Sequence, residues 1–205
     1  SSGLMNSQTI GSVTLATTQT ATTNAAASGI TITPSAATGG TFTASNYSIT
    51  YATGAVTINT APLTITANNQ TTTYGTVIGT GTGKTTFTPS GLMNSETIGS
   101  VTLATTQTAT TNAAASGITI TPSAATGGTF TASNYSITYA TGAVTINKAP
   151  LGINVSGTYS GTTTLSSPTL GTVTGLMNSE TLTSLTNATL NSKDVAKDRK
   201  STRLN

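Results

Sequence analysis

Few side chains in this chain could do chemistry, and their positions limit what they could do. The carboxylates are Glu96, Glu180, Asp194 and Asp198, and there is no histidine and no cysteine. The usual zinc, haem, iron–sulfur and Cys/His-nucleophile sites therefore lack their side chains. Four carboxylates leave almost nothing for acid–base pairs or calcium cages. Glu96 and Glu180 stand at equivalent places in repeated sequence, and the third such place holds Gln8. An amide neither ionises nor accepts a proton usefully, so this position reads as a polar turn residue. Gly79-Thr80-Gly81-Thr82-Gly83-Lys84-Thr85 has the look of a phosphate-binding loop. Such a loop needs its first glycine five residues before the Gly-Lys pair's glycine, where Ile78 stands. The next unit's counterpart, Gly161 to Thr174, has no lysine. The stretch reads as a flexible inter-strand loop. Five sequon-like triplets, at Asn46, Asn69, Asn134, Asn154 and Asn187, are what chance delivers in a chain with 54 threonines. No catalytic, cofactor-binding or metal-binding residue is assigned, and no cofactor is expected.

The formal charge of +3 raises the question of nucleic acid, and the location of the charges answers it. Arg199, Lys200 and Arg203 lie in the last eight residues with Asp198, and the rest of the chain carries only +1. No basic patch interleaved with aromatics remains, so no nucleic-acid partner is expected. Residues 198–205, Asp-Arg-Lys-Ser-Thr-Arg-Leu-Asn, resemble a translated sequencing adapter and are set aside as a non-native tail. With that tail and a start at Ser1 without Met, a fragment at both ends is expected.

Behind these residues lies an internal repeat. Ser2–Leu63 recurs as Ser90–Leu151, 88 residues on, and only Gln8/Glu96 and Thr60/Lys148 differ across the 62 positions. A third copy opens at Gly175-Leu176-Met177-Asn178-Ser179-Glu180-Thr181. Eighty-eight residues is too long for a solenoid coil and right for a small domain, so tandem globular units are expected. Met5, Met93 and Met177 recur in the Gly-Leu-Met-Asn turn, where Leu reads as the core contact and Met as a gap filler.

Alternation of large apolar with small polar residues marks the units as all-β. Tyr47-Ser48-Ile49-Thr50-Tyr51, the turn Ala52-Thr53-Gly54 and Val56-Thr57-Ile58 read as a hairpin. Leu63–Ala67, Val13-Thr14-Leu15 and Gly29–Ile32 follow the same pattern, and threonine's β-branch suits a pleated surface. The runs Ala21–Ala27 and Ala109–Ala115 leave room for one short helical turn. The core is thin, with about three Tyr and one or two Phe per unit. At roughly 25 cal/mol per Å² of apolar burial, such a unit sits near the lower edge of independent stability. Ala61-Pro62-Leu63 and Ala149-Pro150-Leu151 read as stiff links that cannot continue a ladder. The division is then 1–60, the C-terminal part of a unit; 61–148, a complete unit; 149–197, the opening of a divergent third; and 198–205, the tail.

Ala61-Pro62-Leu63-Thr64-Ile65-Thr66-Ala67-Asn68-Asn69-Gln70 followed by Thr73-Tyr74-Gly75-Thr76 resembles the opening of the MBG-type (mostly-β, glycine-rich, Tyr-Gly-X) repeats of large bacterial surface proteins. Ser90–Thr97 is similar to a middle segment of that family, and Ser133–Tyr139 with Thr141–Ile146 to its closing hairpin. The copy opening at Ala149 departs from the pattern, with Gly152 for the strand Thr and Thr158-Tyr159-Ser160-Gly161 for the Tyr-Gly signature. The resemblance implies a stalk or repeat region of an exported, adhesin-like protein, extracellular or on the bacterial cell surface, without catalytic residues.

The leading expectation is thus a structural spacer. A unit of 88 residues has a radius of gyration of about 12 Å and would add roughly 3–4 nm of reach. The alternative is a repeated low-affinity binding module, gaining avidity for a glycan or host surface protein. An enzyme is the reading the composition favours least. Expected partners are neighbouring units of the same chain, with no membrane insertion in this fragment. The expected fold is all-β, tandem small Ig-like β-sandwich modules, with β-grasp-like modules as the alternative; the sandwich is favoured because no ten-residue helix is legible.

Overall fold

Threonine and the other β-branched residues restrict χ1 and favour extended backbone, and period-2 patterning gives that backbone one face to bury. The computed structural model follows that rule and describes residues 3–158, 161–165, 168–185 and 188–189. The strands, in chain order, are β1 (Ile10–Thr17), β2 (Thr31–Gly40), β3 (Gly54–Ala55), β4 (Ala61–Ala67), β5 (Gln70–Thr73), β6 (Gly81–Lys84), β7 (Phe87–Ser90), β8 (Ile98–Thr105), β9 (Thr119–Gly128), β10 (Tyr135–Ala140), β11 (Gly142–Asn147), β12 (Gly152–Ser156), β13 (Thr164–Leu165), β14 (Thr169–Thr174) and β15 (Ala188–Thr189). Two short 3-10 turns, Ala44–Asn46 and Ala132–Asn134, are the only helical segments among the described residues. The fold is all-β and of the sandwich kind. A β-grasp sheet needs a helix across one face, and the described residues supply none. The expected tail, 198–205, lies outside the described residues.

The chain divides into two compact units: 1–68 with 81–104 and 121–141, and 69–80 with 105–120 and 142–205. In the first, β4 runs parallel to β10, from Ala61↔Tyr135 to Thr66↔Ala140, and antiparallel to β7 on its other side. Leu63, Ile65 and Ala67 alternate with exposed or half-buried residues along β4 and are buried to 1% exposure or less. β8 lies between β9 and β6 and buries Val101 and Leu103. β1, β2 and β3 form a separate three-stranded sheet in that order. In the second unit β11 runs parallel to β5 and antiparallel to the start of β9, burying Val144, Ile146 and Ile120. β12 pairs with β14 and β13 with β15, both antiparallel.

Several local expectations are corrected. The segment equivalent to the expected hairpin is two strands, β10 and β11, that pair with β4 and β5 and share no ladder. One residue, Thr141, separates them, and the common reversals need at least two. In the first copy Tyr47–Tyr51 forms no strand, and β3 pairs with β2 instead. Pro62 does not end a ladder; it sits inside β4 opposite Ser136. The ladder to β7 begins only at Thr64, beyond the missing N–H, so the proline takes nothing from it. The glycine-rich Gly81–Lys84 stretch is not a loop but strand β6. Between Gly81↔Leu103 and Lys84↔Val101 it carries one residue more than β8, a β-bulge accommodated by Gly81 at φ 103° and Gly83 at φ 71°. The Ala/Thr runs hold tight turns and no helix, with Ala26 and Ala114 in the left-handed region at φ 54° and 59°.

Near-identical copies meet different surroundings in this chain, which shows what each strand requires. Val101 and Leu103 in β8 are 1% and 2% exposed, while their counterparts Val13 and Leu15 in β1 are 41% and 57% exposed. β8 has β6 beside it; β1 pairs only with β2. The same holds at the other end, where Leu151 and Ile153 are half exposed although their counterparts Leu63 and Ile65 are fully buried. β4 has β10 alongside, whereas among the described residues β12 pairs only with β14.

Candidate functional site

The recurring Gly-Leu-Met-Asn-Ser segment is a built turn. Asn6 and Ser7, Asn94 and Ser95, and Asn178 and Ser179 all have φ between 52° and 62°. The following amide closes each turn: Gln8 N–H donates to Met5 O at 3.1 Å, Glu96 to Met93 O and Glu180 to Met177 O at 2.9 Å. Two successive positive φ values with this closure make a type I′ turn, which Asn tolerates best among residues with a side chain. The glycine opening it has no alternative in two copies. A Cβ on Gly91 would lie 2.4 Å from Pro62 O, and one on Gly175 2.1 Å from Pro150 O. Leu92 is half-buried and Met93 exposed, so the leucine is a peripheral contact and the methionine fills no gap there.

A tyrosine locks each turn. Tyr135, 7% exposed, accepts from Met93 N–H at 2.9 Å and donates to Glu96 Oε2 at 2.5 Å. Its ring packs at 6.3 Å from that of Phe130. In the first copy Tyr47 accepts from Met5 N–H at 3.2 Å and donates to Gln8, beside Phe42. The third turn is held differently, with Tyr74 donating to Glu180 Oε1 at 2.5 Å. A position served by Glu and by Gln in the same geometry needs an acceptor oxygen, not an ionisable group. Burial pushes the Tyr135 hydroxyl above the ordinary 10.0, reinforced by its bond to Glu96 and that residue's charge and opposed by the Met93 N–H. A folded value raised above the unfolded one leaves stability whole below about pH 10 and erodes it as pH climbs through the folded value. Tyr135→Phe should cost about 1–3 kcal/mol at neutral pH through the two lost bonds and their stranded partners. It should also make the alkaline decline in chemical-denaturation stability shallower; an unchanged alkaline limb would refute the assignment.

Two shallow grooves lie beside these turns. One, of about 480 Å³, is lined by Ala21, Ala25, Asn94, Glu96, Asn134 and Tyr135. The other, of about 340 Å³, is lined by Tyr74, Asn112, Lys148, Gly175, Leu176 and Glu180. In each groove the carboxylate accepts the tyrosine hydroxyl, Glu96 from Tyr135 and Glu180 from Tyr74, as part of the turn's own closure. Among the described residues no three of His, Cys, Asp and Glu come together as a metal site would need. Lys84 lies in β6, within a ladder and away from any helix N-terminus that could cradle phosphate. Asp194 and Asp198 lie outside the described residues. The structure singles out Tyr74, Asn94, Gln107 and Asn178, to which the sequence assigned no role. The recurrence of the two asparagines 84 residues apart was the available signal.

The arrangement is that of an all-β repeat module whose polar side chains are spent on fixing turns. Residues 63–145 match the MBG domain of YGX type, a repeat module that occurs in surface proteins, and this segment is such an MBG repeat. No curated protein and no solved structure matches the chain. No helix among the described residues is long and apolar enough to cross a membrane.

Proposed function

We propose that the chain is a stretch of stalk from an exported, adhesin-like protein of the bacterial cell surface, with 61–148 as its complete repeating module and no catalysis of its own. The observation that carries this reading is the near-identity of copies 88 residues apart, two changes in 62 positions, joined to the MBG match. Repetition with so little divergence favours a role in which each copy does the same thing, and reach is such a role. Low charge keeps inter-repeat repulsion small, so extension should be insensitive to salt. Lack of cysteine suits an oxidising exterior.

Inserting further copies of 61–148 after Lys148 should lengthen the particle by roughly 3–4 nm per copy in small-angle scattering, at both 50 mM and 500 mM salt. A particle that grows by much less, or collapses as copies are added, would overturn the spacer. The second reading, weak repeated binding of a glycan or host protein, draws support from the two polar-rimmed grooves. Saturable binding of the 205-residue chain to a glycan array or to host cells would favour it over the spacer.

A further inference from the structure

The Tyr-Gly signature of the middle copy faces sequence that belongs to the next one. Tyr74 donates to Glu180 at 2.5 Å, and Glu180 closes the third Gly-Leu-Met-Asn-Ser-Glu turn. Gly75, at φ 91°, lies so close that a Cβ there would stand 2.7 Å from Met177 Cγ. The Gly75 N–H donates to Ala109 O at 3.2 Å, and Asn178 Nδ2 donates to that same carbonyl at 2.9 Å. One carbonyl thus ties the signature and the incoming turn together. The asparagine contact occurs twice. Asn94 Nδ2, in the second copy's turn, donates at 3.1 Å to Ala21 O, the counterpart of Ala109 88 residues earlier.

We propose that Tyr74, Gly75 and the Ala109 carbonyl form a receptor for the Gly-Leu-Met-Asn-Ser-Glu turn of the following repeat, so that the Tyr-Gly signature is the mark of a repeat-to-repeat joint. Its partner is defined by chemistry: a type I′ turn offering an amide donor, a thioether that needs the space above a glycine, and a carboxylate acceptor. The carboxylate accepts the tyrosine hydroxyl in a charge-assisted bond, stronger than one to a neutral oxygen. The glycine is required twice over, by its positive φ and by the methionine packed against it. Such a joint works wherever the chain is located and does not depend on the stalk reading.

The test is amide hydrogen exchange on the full chain. Tyr74→Phe should speed exchange of the Glu180 and Gly75 amides by roughly three- to tenfold, the size of one lost hydrogen bond, and leave the core amides of Leu103 and Val101 unchanged. Glu180→Gln should act on the same amides more weakly, since Gln8 already serves in the equivalent turn. The double variant should be less than additive, because both changes remove one bond. Unaltered exchange at Glu180 in Tyr74→Phe, or strict additivity of the two changes, would overturn the receptor. Should Tyr74→Phe lose core protection, Glu180→Gln with Asn178→Ala carries the test through the same amides, and no acceleration in either would overturn it.

Discussion

Leu103→Ala is expected to destabilise the chain by about 2–5 kcal/mol, and Leu15→Ala, the same substitution in the same local sequence, by about 0.5 kcal/mol or less. The residues flanking the two leucines are identical from Thr9 to Asn59 and from Thr97 to Asn147. Propensity, turn chemistry and unfolded-state effects therefore cancel in the comparison, and what remains is burial. Leu103 is 2% exposed in β8, between β9 and β6, so truncation removes apolar contacts and leaves a cavity. Leu15 is 57% exposed at the edge of the β1–β2–β3 sheet, so its truncation leaves none. Urea unfolding of the two variants, followed by a probe in each compact unit, reads the difference directly. Equal effects would show that β1 is as well covered as β8 and would sink burial as the difference between the two copies.

That comparison also shows how much could be read from the residues. The all-β class and the repeat were legible because alternation and recurrence are local properties of sequence. Strand partners were not. Tyr135–Ala140 and Gly142–Asn147 look like a hairpin because both alternate and Thr141-Gly142 reads as a turn, yet each pairs in parallel with a strand 74 residues upstream. Nothing within the segment encodes that choice; β4 and β5 impose it by offering edges. In the first copy Tyr47–Tyr51 forms no strand, although its residues are the same. Pro62 was misleading for a related reason, since a missing N–H matters only on the side where a partner would need it. At the turns the tyrosine and the glutamate were each visible, but 39 residues separate Tyr135 from Glu96 and 106 separate Tyr74 from Glu180. Distances of that kind are fixed by tertiary packing, and residue spacing carries no trace of them.

Gln107→Leu should cost about 2–4 kcal/mol, although leucine is nearly as large and more apolar, while Gln19→Leu should be close to neutral. Gln107 is 5% exposed, the one buried polar side chain among the described residues, and its amide is fully used. Oε1 accepts from Ile78 N–H at 2.9 Å, and Nε2 donates to Thr76 O at 2.9 Å and to Thr108 O at 2.7 Å. The side chain therefore replaces the ladder that 76–78 would otherwise need, fastening the chain after the Tyr-Gly signature to the start of the Ala/Thr loop. A leucine fills the space but takes the acceptor from the N–H of half-buried Ile78 and a donor from the Thr76 and Thr108 carbonyls, three bonds that the apolar side chain cannot replace. Gln19, its counterpart 88 residues earlier, is exposed to solvent. Gln107→Glu separates the donor from the acceptor role. Two carbonyls face Nε2, so the introduced carboxyl would hold a proton to keep one bond, and its folded pKa would rise above the unfolded value. Stability of that variant should then be greatest in acid and fall as pH rises through the folded value. A flat profile between pH 4 and pH 8 would mean that the two carbonyls find donors elsewhere and that Gln107 fastens nothing.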